Sequence, residues 1–491
     1  MHAKVSWTSG IIAAALVGVS SCSPKPELAK DTGKIPVTTA SAEARQDFLK
    51  GQELSDNIRF YDAHQLFASA VAKDSAFAMA WYDMALTAPT TSEFFAGMGR
   101  AVALAEKVSE GERLMILGLQ SGVNGDPAKQ RELYEQLVAK YPRDERAHAL
   151  LGGAYGGTQD YAKAIEEYQK AVAIAPNYAP VYNQLGYAYR PLGNYAEAEK
   201  AFKKYIELIP GDPNPYDSYA ELLLKMGRFE ESIAMYRKAL GVDPHFLGSL
   251  VGIADNYIYM GKPDSALAVT KEITAAARND AERRTALFTT AVIQADQGKF
   301  DLALKALEQQ HALAQGVADT GTMAADHDAM GDLMLEAGKP GDALLHYDQE
   351  LTLIEASGFS EPVKENTRQG HHFNLARVAL KKGDLATARA EAQTYLAAAT
   401  ARHNDFEVRA AHALAGQIAL AEKRYDQALA ELGQASQQDM AVLYRTGLAY
   451  EGKGDKAKSK ELFTSAANFN TLMGLNEAFV RNKARAKAGA S

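Results

Sequence analysis

The stretch APVYNQLGYAYRPLGNYAEAEKAFKKYIELIP, residues 179–210, decides the fold. Its apolar residues recur at helical spacing, Gly193–Asn194 interrupts them, and Pro210 closes the second run. The same layout recurs on both sides. Gly118, Gly152, Gly186, Ala220 and Ala254 are each 34 residues apart. Other small residues keep that phase (Ala164, Ala198, Ser232; Ala171, Ala239), as do Pro142, Pro176, Pro210 and Pro244. A period of this length marks a pair of helices that cannot bury its apolar face alone and must stack on its neighbours.

From about Ala44 onward the pattern is helical, with pairs broken at Gly227–Arg228, Gly261–Lys262, Gly298–Lys299, Gly338–Lys339 and Gly383–Asp384, and no alternating strand pattern of useful length. Repeat starts near Ala44, Ala78, Gly111, Glu145, Ala179, Pro213 and Leu247 are followed by looser ones near Arg284, Ala324, Gln369, Arg409 and Met440. The predicted class is all-α, a solenoid of about twelve antiparallel helix pairs. The chain of 491 residues is 47% apolar and 23% charged with a net charge of -8, and no basic stripe runs through its body, which argues against a nucleic-acid binder. The one basic cluster, Arg481, Lys483, Arg485 and Lys487, reads as a solvated last turn. Leu472, Leu475 and Phe479 mark a capping helix over the final repeat.

Lys4 and the apolar run 11–19 lead into Val19–Ser20–Ser21–Cys22. The run is too short for a permanent membrane span. The tetrad resembles the lipobox of bacterial lipoproteins, which implies lipidation of Cys22 and an anchor on an otherwise soluble chain. Cys22 is the only cysteine, so no intrachain disulfide can form. Ser23 after it favours the outer membrane within that family, facing the periplasm. The expected organisation is a signal peptide over 1–22, a flexible tether over 23–43, a regular array over 44–280, divergent repeats over 281–470, and a capping helix with a basic tail over 471–491.

The array resembles the tetratricopeptide-repeat (TPR) family. Numbering the unit from Ala179, Tyr182, Leu185, Gly186 and Tyr189 match its first helix, and Ala198, Phe202 and Pro210 its second; Tyr205 departs from a small residue. The unit at Glu145 supplies His148, Leu151, Gly152, Tyr155, Ala164, Tyr168, Ala171 and Pro176. Small residues at positions 8, 20 and 27 allow close helix approach, and large ones fill the adjoining groove. The resemblance implies a superhelix whose concave face, lined by positions 2, 5, 9 and 12 of each first helix, binds partner polypeptides. Carried over, these are Asn183, Tyr187, Arg190, Asn214, Asp217, Glu221, Asp255 and Ile258. The set does not match the two-lysine, two-asparagine carboxylate clamp of some members, and its negative balance suits a basic or neutral segment.

Other motifs read as packing. Gly447–Lys453 imitates a phosphate-binding loop, but Gly454 stands where Ser or Thr is required. Gly152–Gly153 with Gly156–Gly157 lacks the dinucleotide order, and Gly156–Gly157 is expected to loosen the following turn. His148, His327, His372 and His412 share one repeat position, which points to half-buried rings with polar tips. Asp326–His327–Asp328 and His371–His372 are consecutive on a helix and cannot converge on one ion. No catalytic residue, metal or cofactor is expected. The principal expectation is a non-catalytic envelope scaffold; the alternatives are a ligand-sensing arm of a signalling complex and an envelope enzyme with its site in residues 281–440.

Overall fold

The computed structural model describes residues 33–489, and Cys22 with the whole leader lies outside them. Over the described residues the chain forms twelve antiparallel helix pairs and a final helix. The first seven pairs are α1 (Ala42–Asp56) with α2 (Phe60–Lys73), α3 (Ala78–Leu86) with α4 (Thr91–Leu104), α5 (Glu110–Val123) with α6 (Pro127–Lys140), α7 (Glu145–Gly157) with α8 (Tyr161–Ile174), α9 (Ala179–Tyr189) with α10 (Tyr195–Leu208), α11 (Asn214–Lys225) with α12 (Phe229–Val242), and α13 (Leu247–Tyr259) with α14 (Pro263–Ala276). Five more follow: α15 (Asp280–Asp296) with α16 (Phe300–Gly316), α17 (Thr320–Glu336) with α18 (Pro340–Ala356), α19 (Glu361–Lys382) with α20 (Leu385–Ala401), α21 (Asp405–Ala421) with α22 (Tyr425–Leu432), and α23 (Met440–Gly452) with α24 (Lys456–Ala467). The last helix is α25 (Leu475–Ala488). The spacing loosens after Leu247 because α15 to α18, α20 and α21 run to 17 residues and α19 to 22, against 14 in α14.

Three local devices build each unit. Within a pair, the small residue at position 8 faces a large one at position 24. A Cβ on Gly118, Gly152, Gly186, Gly331 or Gly447 would come within 2.2–2.7 Å of the ring of Tyr134, Tyr168, Phe202, Tyr347 or Phe463 respectively, so each ring occupies the notch left by a missing side chain. At position 4 a ring with a polar tip reaches back to a carbonyl six residues earlier: Trp81 to Ser75 (3.0 Å), Tyr182 to Pro176 (2.9 Å) and Tyr216 to Pro210 (3.0 Å). Between helices, Gly193, Gly227, Gly261, Gly298, Gly338 and Gly383 adopt φ of 70–80°, the left-handed ending that glycine tolerates without strain. The expectation that Gly156–Gly157 loosens a turn is corrected. Both lie inside α7, and the reversal falls on Thr158–Asp160 with Gln159 at φ 65°.

The apolar seams between successive pairs merge into long clusters. One runs from Ile35 to Ala154, another from Ala220 to Val378, and the second also takes in Met473, Leu475 and Ala478 from the C-terminal segment. The tether expected over 23–43 is corrected at its far end. Ile35 is buried, its N–H donates to Asp144 (2.7 Å), and Thr38 donates to Glu112 through both N–H (2.7 Å) and hydroxyl (2.6 Å). Residues from Ile35 on therefore lie along the first repeats. No helix of the described residues is long and apolar enough to cross a membrane.

Candidate interaction groove

The eight groove residues carried over from the sequence lie on or just after the first helices α9, α11 and α13, and they fall into two groups there. On α9 and α11, Tyr187 donates to Glu221 (2.8 Å), and Arg190, in the short 3-10 turn after α9, pairs with the other oxygen of Glu221 and lies 4.8 Å from the Tyr187 ring centre. Asp217 accepts from Ser249 (2.6 Å), and burial pushes its carboxyl up to about 7. The side-chain oxygen of Asn183 is buried and has no hydrogen-bond partner.

The other three are engaged with α10 or with the C-terminal segment. Asn214 is buried and donates to Tyr205 (2.8 Å). Asp255 is buried and accepts from the backbone N–H of Met473 (3.0 Å); burial raises its carboxyl pKa well above the usual value. Ile258, 2% exposed, belongs to the cluster that contains Met473 and Leu475.

Those contacts mark what the sequence reading missed: the C-terminal segment lies against the first helices α11 and α13. Lys225 donates to the carbonyl of Phe469 (2.5 Å), and Tyr259 donates to Thr471 O (2.8 Å) while accepting from Thr471 N (3.0 Å). Helix α25 then packs on α15 and α17 as well as on α23 and α24. It does cap the last pair, and it also crosses to units more than 100 residues away. Two expectations are corrected. Arg481 is not on a solvated turn: it is buried and holds Asp296 of α15 through two bonds, Nε to Oδ1 (2.8 Å) and Nη2 to Oδ2 (2.6 Å). Lys483 and Lys487 pair with Glu336 and Glu451. Leu472 is exposed, so the apolar stripe consists of Met473, Leu475 and Phe479. The register of these residues with the concave face depends on where distant units come to lie, which no local pattern in the chain carries.

The histidines at position 4 each meet a group 19 residues on: His148 Nδ1 with Glu167 (2.6 Å), His372 Nδ1 with Glu391 (2.6 Å), and His412 Nδ1 with Glu431 (2.8 Å). In the fourth, His327 Nδ1 meets His346 Nδ1 (3.1 Å), with the His311 ring 4.7 Å away. Burial, then His311 and His346, push His327 down to about 4. Asp326 faces Arg284 and Gln310, and Asp328 faces Asn374, so the three consecutive residues diverge. Among the described residues no group of three or more His, Cys, Asp or Glu is placed to hold a metal ion.

No curated protein matches the chain. Similar solved structures include a tetratricopeptide repeat protein from Parabacteroides merdae (15% identity, TM-score 0.36, covering 58% of this chain and 99% of that one). They also include MamA protein (22%, 0.29, 34% and 91%) and TTC0263, a thermophilic TPR protein of Thermus thermophilus (25%, 0.29, 44% and 99%). Residues 145–211 and 223–287 match the tetratricopeptide-repeat family. The same helix-pair unit continues on either side of these residues, from Ala42 to Ala467, so the two matched stretches are tetratricopeptide repeats set within a longer all-helical array of the same kind.

Proposed function

We propose that this chain is a non-catalytic scaffold of the bacterial cell envelope, held at the outer membrane through lipid on Cys22, which grips a polypeptide segment along the concave face of α9 and α11. Tetratricopeptide repeats are protein-interaction modules, which supports a polypeptide as the partner. The observation that carries the site is Asn183. A buried amide oxygen without a partner is costly to leave unmade, and a backbone N–H of an extended peptide would satisfy it. Arg190 neutralises Glu221 beside it, and burial holds the Asp217 carboxyl up at about 7, so the face carries little net charge and suits a neutral or basic segment. An anchor on Cys22 would raise the effective concentration of this face near membrane-bound partners.

A photo-crosslinking residue at position 183, in the lipidated protein in its native envelope, should join to a polypeptide. The same residue at Lys200, exposed on α10, should not. Asn183→Ala should then weaken binding of the captured partner without lowering the melting temperature, since no internal bond is lost. Equal capture from both positions, or none from position 183, would remove the groove assignment. Palmitate labelling that persists in Cys22→Ser would remove the anchor.

A further inference from the structure

Helix α25 does more than pack on distant units: with α11, α13 and α24 it walls a cavity of about 650 Å³ that is unusual for so acidic a chain. Its lining includes Lys225, Arg481 and Arg485 and no carboxylate, with Tyr195, Phe229 and Tyr259 as aromatic walls. Phe229 and Tyr259 lie parallel, ring centres 5.8 Å apart.

The three cations are incompletely satisfied. Arg481, 4% exposed, spends Nε and Nη2 on Asp296, and its buried Nη1 has no hydrogen-bond partner; its guanidinium carbon lies 5.8 Å from the Tyr259 ring centre. Lys225 has a single acceptor, the Phe469 carbonyl, although an ammonium carries three donors. The half-buried Arg485 side chain has no ion pair or hydrogen bond among the described residues. Asn468 and Asn470 add amides to the same wall. Cations gathered in a recess, with one guanidinium nitrogen buried and unpaired, await an acceptor that carries negative charge.

We propose that this cavity binds a small organic anion: a carboxylate or phosphate head placed among Arg481, Arg485 and Lys225, with an aromatic or apolar body against Phe229 and Tyr259. Burial, then the neighbouring Arg190, holds the Lys225 ammonium down at about 8 against the opposing pull of Glu221, so a bound anion would also restore its charge. The site needs α25 in place, because two of its cations belong to that helix. A ligand that binds only the assembled site stabilises the docked helix by mass action. This site adjoins the face of α9 and α11 proposed for polypeptides but takes none of the eight groove residues, so the two are tested by different variants.

Isothermal titration of the whole chain with phenyl phosphate and with benzoate tests the assignment, with benzamide as the neutral isostere and inorganic phosphate as the head alone. At least one of the two aromatic anions should bind one to one, with benzamide silent. Arg485→Ala and Lys225→Met should each weaken it about tenfold or more, the scale of one lost charge-assisted bond. Lys483→Ala, which does not touch the cavity, should leave it unchanged. Arg485→Ala breaks no internal bond, and an unaltered helical spectrum confirms that it folds. No heat from either aromatic anion at about 10 mM, equal binding of benzamide, or undiminished binding to Arg485→Ala would overturn the site. Inorganic phosphate binding as tightly as its phenyl ester would overturn the organic ligand.

Discussion

At the scale of single residues, the repeat is a rule about where a Cβ is forbidden. Gly152 and Gly153 are neighbours on α7 with opposite roles: a Cβ on the first would sit 2.5 Å from the Tyr168 ring, while around the second the nearest atom is the Tyr168 hydroxyl at 3.9 Å. Gly152→Ala should therefore destabilise by about 1–3 kcal/mol through overpacking. Gly153→Ala should stabilise by up to about 1 kcal/mol through helix propensity. Urea unfolding of the two variants decides, and shifts of the same sign in both would refute the notch. His327 is a second single-residue lever. It titrates near the ordinary histidine value when unfolded and near 4 when folded, pressed by burial and then by His311 and His346, with Asp326 opposing and with Asp342 and Glu308 acting on His346. Below pH 6.5 the unfolded chain binds a proton that the folded chain refuses, so stability falls as pH drops from 6.5 toward 4. His327→Phe, a ring where other units carry Tyr182 or Tyr216, should flatten that fall. Parallel pH curves of urea midpoint for variant and parent would contradict it.

At the scale of elements, the question is what keeps α25 against α15 and α17. Its apolar residues Leu475, Ala478, Val480 and Ala484 are buried, and Arg481 and Asp296 form an ion pair with side chains only 5% and 6% exposed. Such a pair gains little over an apolar pair of the same size, yet breaking it from one side strands a buried charge. Asp296→Ala should cost about 3–5 kcal/mol and open the chain to protease after Phe469, whereas Asp296→Leu with Arg481→Met should recover most of the loss. A double variant no better than the single would mean that the pair itself, not the stranded guanidinium, carries the docking. The helices themselves were legible in advance: the phase of the small residues located the pairs within about four residues, except that α19 starts eight residues before Gln369, because glycine and alanine at positions 8 and 20 record a local helix–helix contact. The partner of α25 was not, because its stripe of Met473, Leu475 and Phe479 specifies only that some apolar surface covers it.

At the scale of the whole molecule, the array is not an open rod. Later units return to earlier ones. Asp319, at the start of α17, accepts from the N–H groups of Thr91 (3.0 Å) and Ser92 (3.3 Å) at the start of α4. Phe95 and Phe359 lie with ring centres 4.4 Å apart. Gln159 bonds Ser436 (3.0 Å), and Gln438 donates to the Pro191 carbonyl (3.2 Å). A solenoid in which each unit touches only its neighbours behaves as a chain of nearest-neighbour terms; these contacts add ties between units more than 200 residues apart. Asp319→Ala should loosen the closure, seen as a larger radius of gyration in solution scattering with helicity unchanged. Identical scattering profiles would show that Asp319 does not hold the turns together.

The order of the amino acids by itself determined the all-α class, the helix-pair unit and the turn glycines, since each follows from contacts between residues fewer than about 34 apart. Only the tertiary structure decided that Asp255 and Ile258 are covered by the chain's own C-terminal segment, that Arg481 is a buried anchor, and that a cationic cavity forms beside Tyr259. These depend on the pitch of the superhelix. Small rotations between successive units add up along the chain, and their sum sets which distant side chains meet.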